Sequence, residues 1–250
     1  MKKIVLLAFI QVLLLTAMVM RFIRPITASL TVHNVDTGLD YATIQEAINA
    51  PETLDGHTIL VDAGKYYEHV VVNKSISLIG ENKSTTIIDG NSTGENVVVI
   101  TVNDVTISGF TIQNSGGAYQ QAGIRLQDCS YTFISDNIIT NNSNGIFLSH
   151  SHYNIISGNN ITPGYAYTIV LYYSNNSILY HNNFVNTDPL AQVMMMLGVW
   201  RNTWDNGYPS GGNYWSDYTG VDFYSGANQD QPGSDGIGDT SYDILDITLD

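Results

Sequence analysis

The sequence predicts an all-β protein: a right-handed parallel β-helix with a capping helix at its N-terminal end and an aromatic, acidic cap at its C-terminal end. Three observations carry that expectation. A segment recurs three times in register, as YTFISDNIITNN from Tyr131, YNIISGNNITPG from Tyr153 and NSILYHNNFVNT from Asn176, at steps of 22 and 23 residues. A fixed period of this size signals a solenoid. Within each copy the apolar residues recur at spacings of two, or of two plus a short polar break, which is strand periodicity. The segments are rich in Ile, Val, Thr and Tyr and are separated by Asn, Ser and Gly, which suit strands and tight turns.

Overlaying the copies aligns Ile134, Ile156 and Leu179, then Asn137, Asn159 and Asn182, then Ile139, Ile161 and Phe184. Farther along, Ile124, Ile146 and Ile169 align, as do Leu126, Leu148 and Leu171, and Cys129, Ser151 and Ser174. The asparagine column suits a coil position at which one amide bonds to its copy in the next coil. Cys129, in a column with two serines, reads as a small buried turn residue, not a nucleophile.

The elements follow in order. Lys2 and Lys3, the apolar run Ile4 to Met20, and Arg21 and Arg24 make residues 1–28 a signal peptide or signal anchor, the only part expected to meet a membrane. Residues 29–200 are the β-helix. It opens with a helix at about 41–50 (YATIQEAINA), whose Ile44, Ala47 and Ile48 share one face, as expected of an element covering the open end of a solenoid. HTILVDAG and HVVVN supply the first coil, and SISLIG, TTIIDG and NVVVIT the second. The next coil is longer: Ile107, Phe110 and Ile112 stand 27 residues before Ile134, Asn137 and Ile139, with Gly116 to Gln121 as an inserted loop. Residues 201–250 form the tail, and Trp204 and Trp215 within it, with Trp200 at its start, are expected to close the end.

Charge narrows the partners. The chain carries a net charge of −14, with only 13% charged residues. After residue 28 just Lys65, Lys74, Lys83, Arg125 and Arg201 oppose all 23 acids, so the surface repels nucleic acid and anionic lipid. It repels polyuronate as well, unless cations bridge the two. No Lys or Arg follows Arg201, while Asp residues accumulate; Asn228, Asp230, Asp235 and Asp239 around SDGIGD partly resemble a calcium loop.

The stretch Asp40 to Gly90 and the tail NTWDNGYPSGGNYWSDYTG, from Asn202 to Gly220 and followed by SDGIGDTSYDI, resemble the NosD-like family of secreted β-helix proteins, within the pectin-lyase-like superfamily. That resemblance implies a periplasmic or surface location, and a copper-binding role like that of the protein which gives the family its name. Such tails run on past the Tyr-Asp-Ile strand, so a chain that stops at Asp250 reads as a short or truncated member.

Three functions stay open. Copper delivery needs imidazole or soft ligands, for which His150, His152, His181 and Met194 to Met196 are available. Polysaccharide cleavage needs a lyase base or converging carboxylates. Arg125 is the only basic residue of the regular coils, Asp128 and Asp136 could approach across a turn, and the Asp cluster and Gly-His-Gly motif of polygalacturonases are missing. The residues favour a third function, a non-catalytic structural or carbohydrate-binding surface module. Tyr131, Tyr153, Tyr172, Tyr173 and Tyr180 lie along the coils as a stacking platform for a polysaccharide or surface glycan. Six N-glycosylation sequons, at Asn73, Asn82, Asn91, Asn141, Asn160 and Asn175, agree with an extracytoplasmic location.

Overall fold

A computed structural model describes residues 31–162, 164, 166–185 and 192–244, so the predicted leader at 1–28 lies outside the described residues. Among those described, no helix is long and apolar enough to cross a membrane.

Six coils stack into a parallel β-helix of three sheets, each coil giving one short strand to each sheet. Coil four shows the pattern: Phe133–Ser135 enters the first sheet, Ile138–Thr140 the second and Asn144–Ser149 the third. The predicted columns are the observed ladders. Ile59, Leu78, Ile107, Ile134, Ile156 and Leu179 stack in the first sheet. Tyr66, Ile88, Ile112, Ile139, Ile161, Phe184 and Trp215 stack in the second. Leu126, Leu148, Leu171 and Met195 stack in the third. Alternation along each strand puts these side chains inside, and nearly all are fully buried, so the core is one continuous apolar column. Where the second and third coils leave the first sheet the backbones nearly touch. A Cβ on Gly80 would lie 2.2 Å from the Gly109 carbonyl oxygen, so no larger residue fits there.

Buried asparagines turn the corner between the first and second sheets. The Asn159 amide donates to the carbonyls of Ile134 (2.9 Å) and Ser157 (3.1 Å) and to Asn182 Oδ1 (3.0 Å). Its own Oδ1 accepts from the backbone N–H and the side-chain amide of Asn137. Asn182 does the same toward Asn213, a fourth rung 31 residues on. The tail therefore begins inside the solenoid. Thr203 bridges to Ile178, and Tyr214–Trp215 pairs with Asn183–Phe184 as part of a seventh coil.

The N-terminal end is closed differently from expectation in one respect. The helix, α1, spans Ile44–Asn49 with Thr43 as N-cap, and Ile44, Ala47 and Ile48 are buried as predicted. Tyr41 belongs instead to the strand Leu39–Tyr41, which pairs antiparallel with Val32–Asn34; the latter in turn covers the edge of Thr58–Val61. Edge protection is thus shared between a hairpin and α1. The Glu68 carboxylate accepts the first backbone N–H groups of α1, from Ile44 at 3.0 Å and Gln45 at 2.9 Å.

One buried acid contributes stability that depends on pH. Asp89 is 1% exposed. Burial alone would raise its pKa, but Lys65 Nζ at 2.6 Å, Gln113, Asn114 and the Asn91 N–H hold the carboxyl down at about 2. Because the folded value lies below the ordinary 3.8, this stabilisation is complete above pH 3.8 and is lost as pH falls toward about 2. The difference corresponds to about 2 kcal/mol. Urea midpoints are expected to drop between pH 5 and pH 2, and by less in Asp89→Asn, which starts lower at pH 7. An equal drop in both proteins would refute the assignment.

Candidate functional site

The corner from the third sheet to the first carries a row of exposed aromatic residues. At its inner side Cys129, Ser151 and Ser174 fill the bend, each small enough to be enclosed, and the Cys129 and Ser151 N–H groups donate to the next Ser Oγ at 3.3 and 3.1 Å. Burial pushes the Cys129 thiol pKa up, which fits an inert packing role. On each side of this column stands a column of left-handed residues. Asp128, His150, Tyr173 and Gly198 have φ of 52°, 50°, 45° and 68°; Asp104, Tyr131, Tyr153, Asn176 and Arg201 have φ between 56° and 59°. Their N–H groups bond to the next coil, as from Tyr131 to the His152 carbonyl (3.2 Å) and from His150 to the Tyr172 carbonyl (2.9 Å).

The geometry points these side chains outward, where they stack along the solenoid. Tyr131 and Tyr153 lie 5.4 Å apart at 11° and are 57% and 51% exposed. His150 stacks on Tyr173 at 5.1 Å and 9°, with Tyr172 edge-on to both. His152 adjoins Tyr153, and its Nδ1 accepts the Asn175 N–H at 3.2 Å. Trp200 follows Asn175 in the same column, its N–H on Asn175 Oδ1 at 2.6 Å and its side chain largely in solvent.

Four of the five predicted tyrosines thus share one corner. Tyr180 does not: it stands on the outer face of the first sheet, edge-on to His181 at the following corner. Trp204 and Trp215 close the core as expected, around Phe184 and Tyr242, whereas Trp200 corrects the expectation by joining the exposed aromatic row. Trp200 stands one coil beyond Asn175 and two beyond His152, at the same corner.

The other predicted residues are placed apart. Asp128 and Asp136 sit at opposite ends of the Phe133–Ser135 strand, and Asp136 pairs with Lys83. Arg125 lies over the Phe147 ring at 4.6 Å and donates to the Gln120 carbonyl. His150 and His152 share the aromatic corner, but His181 lies at the next one, bonded through Nε2 to the Ser210 carbonyl at 2.6 Å. Met194 packs with Phe147 and Val170 on the outer face of the third sheet, and Met195 faces the core. Among the described residues no three His, Cys, Asp or Glu side chains gather into one cluster.

In the tail, Asp235 and Asp239 bind backbone. Asp239 accepts the Phe223 and Tyr224 N–H groups at 2.9 and 3.0 Å. Asp235 accepts those of Ile237 (3.0 Å) and Gly226 (3.2 Å). Asp222, which the sequence did not single out, holds the Asp235 and Gly236 N–H groups. Asn228 and Asp230 lie exposed on the hairpin between Tyr224–Ser225 and Gln231–Pro232, away from that bonding.

These features define a parallel β-helix protein. The sequence profile described as periplasmic copper-binding protein (NosD) matches residues 32–220, and the chain belongs to the NosD family. Among curated proteins it is 33% identical over 129 residues to a cell surface glycoprotein of Methanothermus fervidus. That match takes in 52% of this chain and 21% of the relative, so the chain spans about a fifth of that protein's length. Among solved structures it is similar to a pectin methylesterase in complex with a hexasaccharide, at 14% identity and a TM-score of 0.45, covering 70% of this chain and 60% of that one. It is also similar to the pectin methylesterase of Yersinia enterocolitica, at 15% identity and a TM-score of 0.42, covering 65% and 81%. Both the family description, a periplasmic protein, and the curated relative, a cell surface protein, are extracytoplasmic.

Proposed function

We propose that this is a non-catalytic surface module that binds a neutral polysaccharide along the aromatic corner of the β-helix. The observation that carries the reading is the pair of aromatic stacks, Tyr131 on Tyr153 and His150 on Tyr173, mounted on left-handed residues. A bulky side chain in that conformation costs on the order of 1 kcal/mol that glycine would avoid. Ring stacking of about 0.5–1.5 kcal/mol offsets that cost without requiring half of each tyrosine to face water. What the corner retains is an outward row of phenol hydroxyls and imidazole nitrogens beside the open face of Trp200. Hydroxyl partners and one apolar face are what a sugar ring needs. The net charge of −14 favours an uncharged glycan over a polyuronate.

The test is retention on a glycan array, followed by calorimetry with the best neutral oligosaccharide. Tyr153→Ala and Trp200→Ala are each expected to weaken binding at least about tenfold while leaving the melting temperature within about 6 °C, since both side chains are solvent-exposed and only the Tyr131 stack is lost. Failure of the array to retain any glycan, or variants that bind like wild type, would remove the proposal.

A further inference from the structure

Three of the six sequons stand nine residues apart, at Asn73, Asn82 and Asn91, and the fold places them at three successive corners. Asn73 follows the strand Val70–Val72 where the chain passes from the third sheet to the first. Asn82 lies between Ser77–Gly80 and Thr86–Asp89, and Asn91 between Thr86–Asp89 and Val98–Ile100. All three asparagines are exposed, and the sequon hydroxyl residues Ser84 and Thr93 are exposed with Ser75 partly so. Asn73 and Asn82 flank Lys74 and Lys83, whose ammonium groups are engaged with the Ala50 and Thr53 carbonyls and with Asp136.

The other sequons are constrained by the fold. Asn175 is 8% exposed, its Oδ1 holds the Trp200 N–H, and its partner Ser177 is fully buried. Asn141 faces solvent, but Ser143, which a transferase must also reach, is 1% exposed. Asn160 lies in the ladder strand Asn160–Thr162, with its Oδ1 taken by Asn183.

We propose that Asn73, Asn82 and Asn91 are N-glycosylation sites, and that their glycans form a collar around the first two coils. The reaction joins the Asn Nδ2 to the anomeric carbon of a glycan carried on a polyprenyl phosphate or diphosphate. The carbon–oxygen bond to phosphate breaks, the lipid phosphate departs with the electron pair, and one amide proton is lost to base. A membrane-bound glycosyltransferase outside the cytoplasm supplies the donor. The collar lies on coils one and two, whereas the aromatic corner is built from coils three to six with Trp200 beyond them.

The experiment is glycopeptide mass spectrometry on the full chain secreted from a host that glycosylates a control sequon protein. Asn→Asp variants at positions 73, 82 and 91 serve as comparators. Aspartate keeps the acceptor oxygen and tolerates the left-handed conformation of Asn91, whose φ is 53°. Expected are glycan masses on all three peptides, one stepwise gain in gel mobility for each Asp variant, and an unmodified Asn175 peptide. Three bare peptides from a host that modifies the control would overturn the proposal, as would a glycan on Asn175.

Discussion

Asn159→Ala is expected to lower the stability of the solenoid by about 4 kcal/mol or more, equivalent to a fall in melting temperature of roughly 10 to 20 °C. The size follows from what the substitution strands. The Ile134 and Ser157 carbonyls lose their amide donor, and the Asn137 N–H loses its acceptor, all beside a side chain that is 0% exposed. Water cannot reach these groups to replace the bonds, and each orphaned buried group costs on the order of 1–3 kcal/mol. Asn183, one residue from the ladder at Asn182, is the control. Its side chain is exposed and donates only to Asn160 on the outer face, so Asn183→Ala is expected to stay within about 0.5 kcal/mol of wild type. Thermal unfolding followed by circular dichroism separates the two; equal melting temperatures would show that the ladder is ornamental.

Trp215→Ala is expected to cost about 3–5 kcal/mol, the range for removing a large buried aromatic. Trp215 extends the core column of the second sheet past Phe184, with ring centroids 4.5 Å apart, and carries Tyr242 on its other face at 4.3 Å and 5°. Tyr242 in turn donates to both oxygens of Asp217, and burial, together with that bond, pushes its pKa up to about 12. Without the indole, Phe184 meets solvent and Tyr242 loses its seat. Residues 203–244 are then expected to open before the coils do. Limited proteolysis should cut the variant first within that tail, leaving a resistant core. A tail that resists cleavage as well as wild type would refute this account of how the solenoid ends.

Most of the fold was legible because a solenoid writes its geometry into the sequence as a period. The columns at Ile134, Asn137 and Ile139 needed only the 22- and 23-residue steps to be read correctly. Where the step lengthened, legibility stopped. Asn213 continues the asparagine ladder, but the loop Asp205–Gly212 hides it from an alignment of equal repeats. The site was legible in part. Tyr131 and Tyr153 share a column at a spacing of 22, while Tyr180 looked equivalent by composition and lies on a strand face instead. The acidic tail was the hardest to read. A Gly-rich loop leaves many N–H groups without ladder partners, and Asp222, Asp235 and Asp239 satisfy them; from sequence alone, carboxylates that brace a loop look like carboxylates that await a cation.

The inserted loop Gly116 to Gln121 bears on how the chain finds its threading. Coils of 22 and 23 residues with nearly the same inward residues could exchange places, since a displacement by one whole coil would set Ile134 where Ile156 belongs. The longer coil breaks that degeneracy. Asn144, in the coil that follows, donates its side-chain amide to the Tyr119 carbonyl at 2.6 Å and to the Gln121 carbonyl at 2.9 Å, and those acceptors exist only in the insert. That longer coil is therefore distinguishable from the 22- and 23-residue coils after it, which can be counted outward from it. The loop acts as an origin mark that lets a repetitive sequence specify a single alignment.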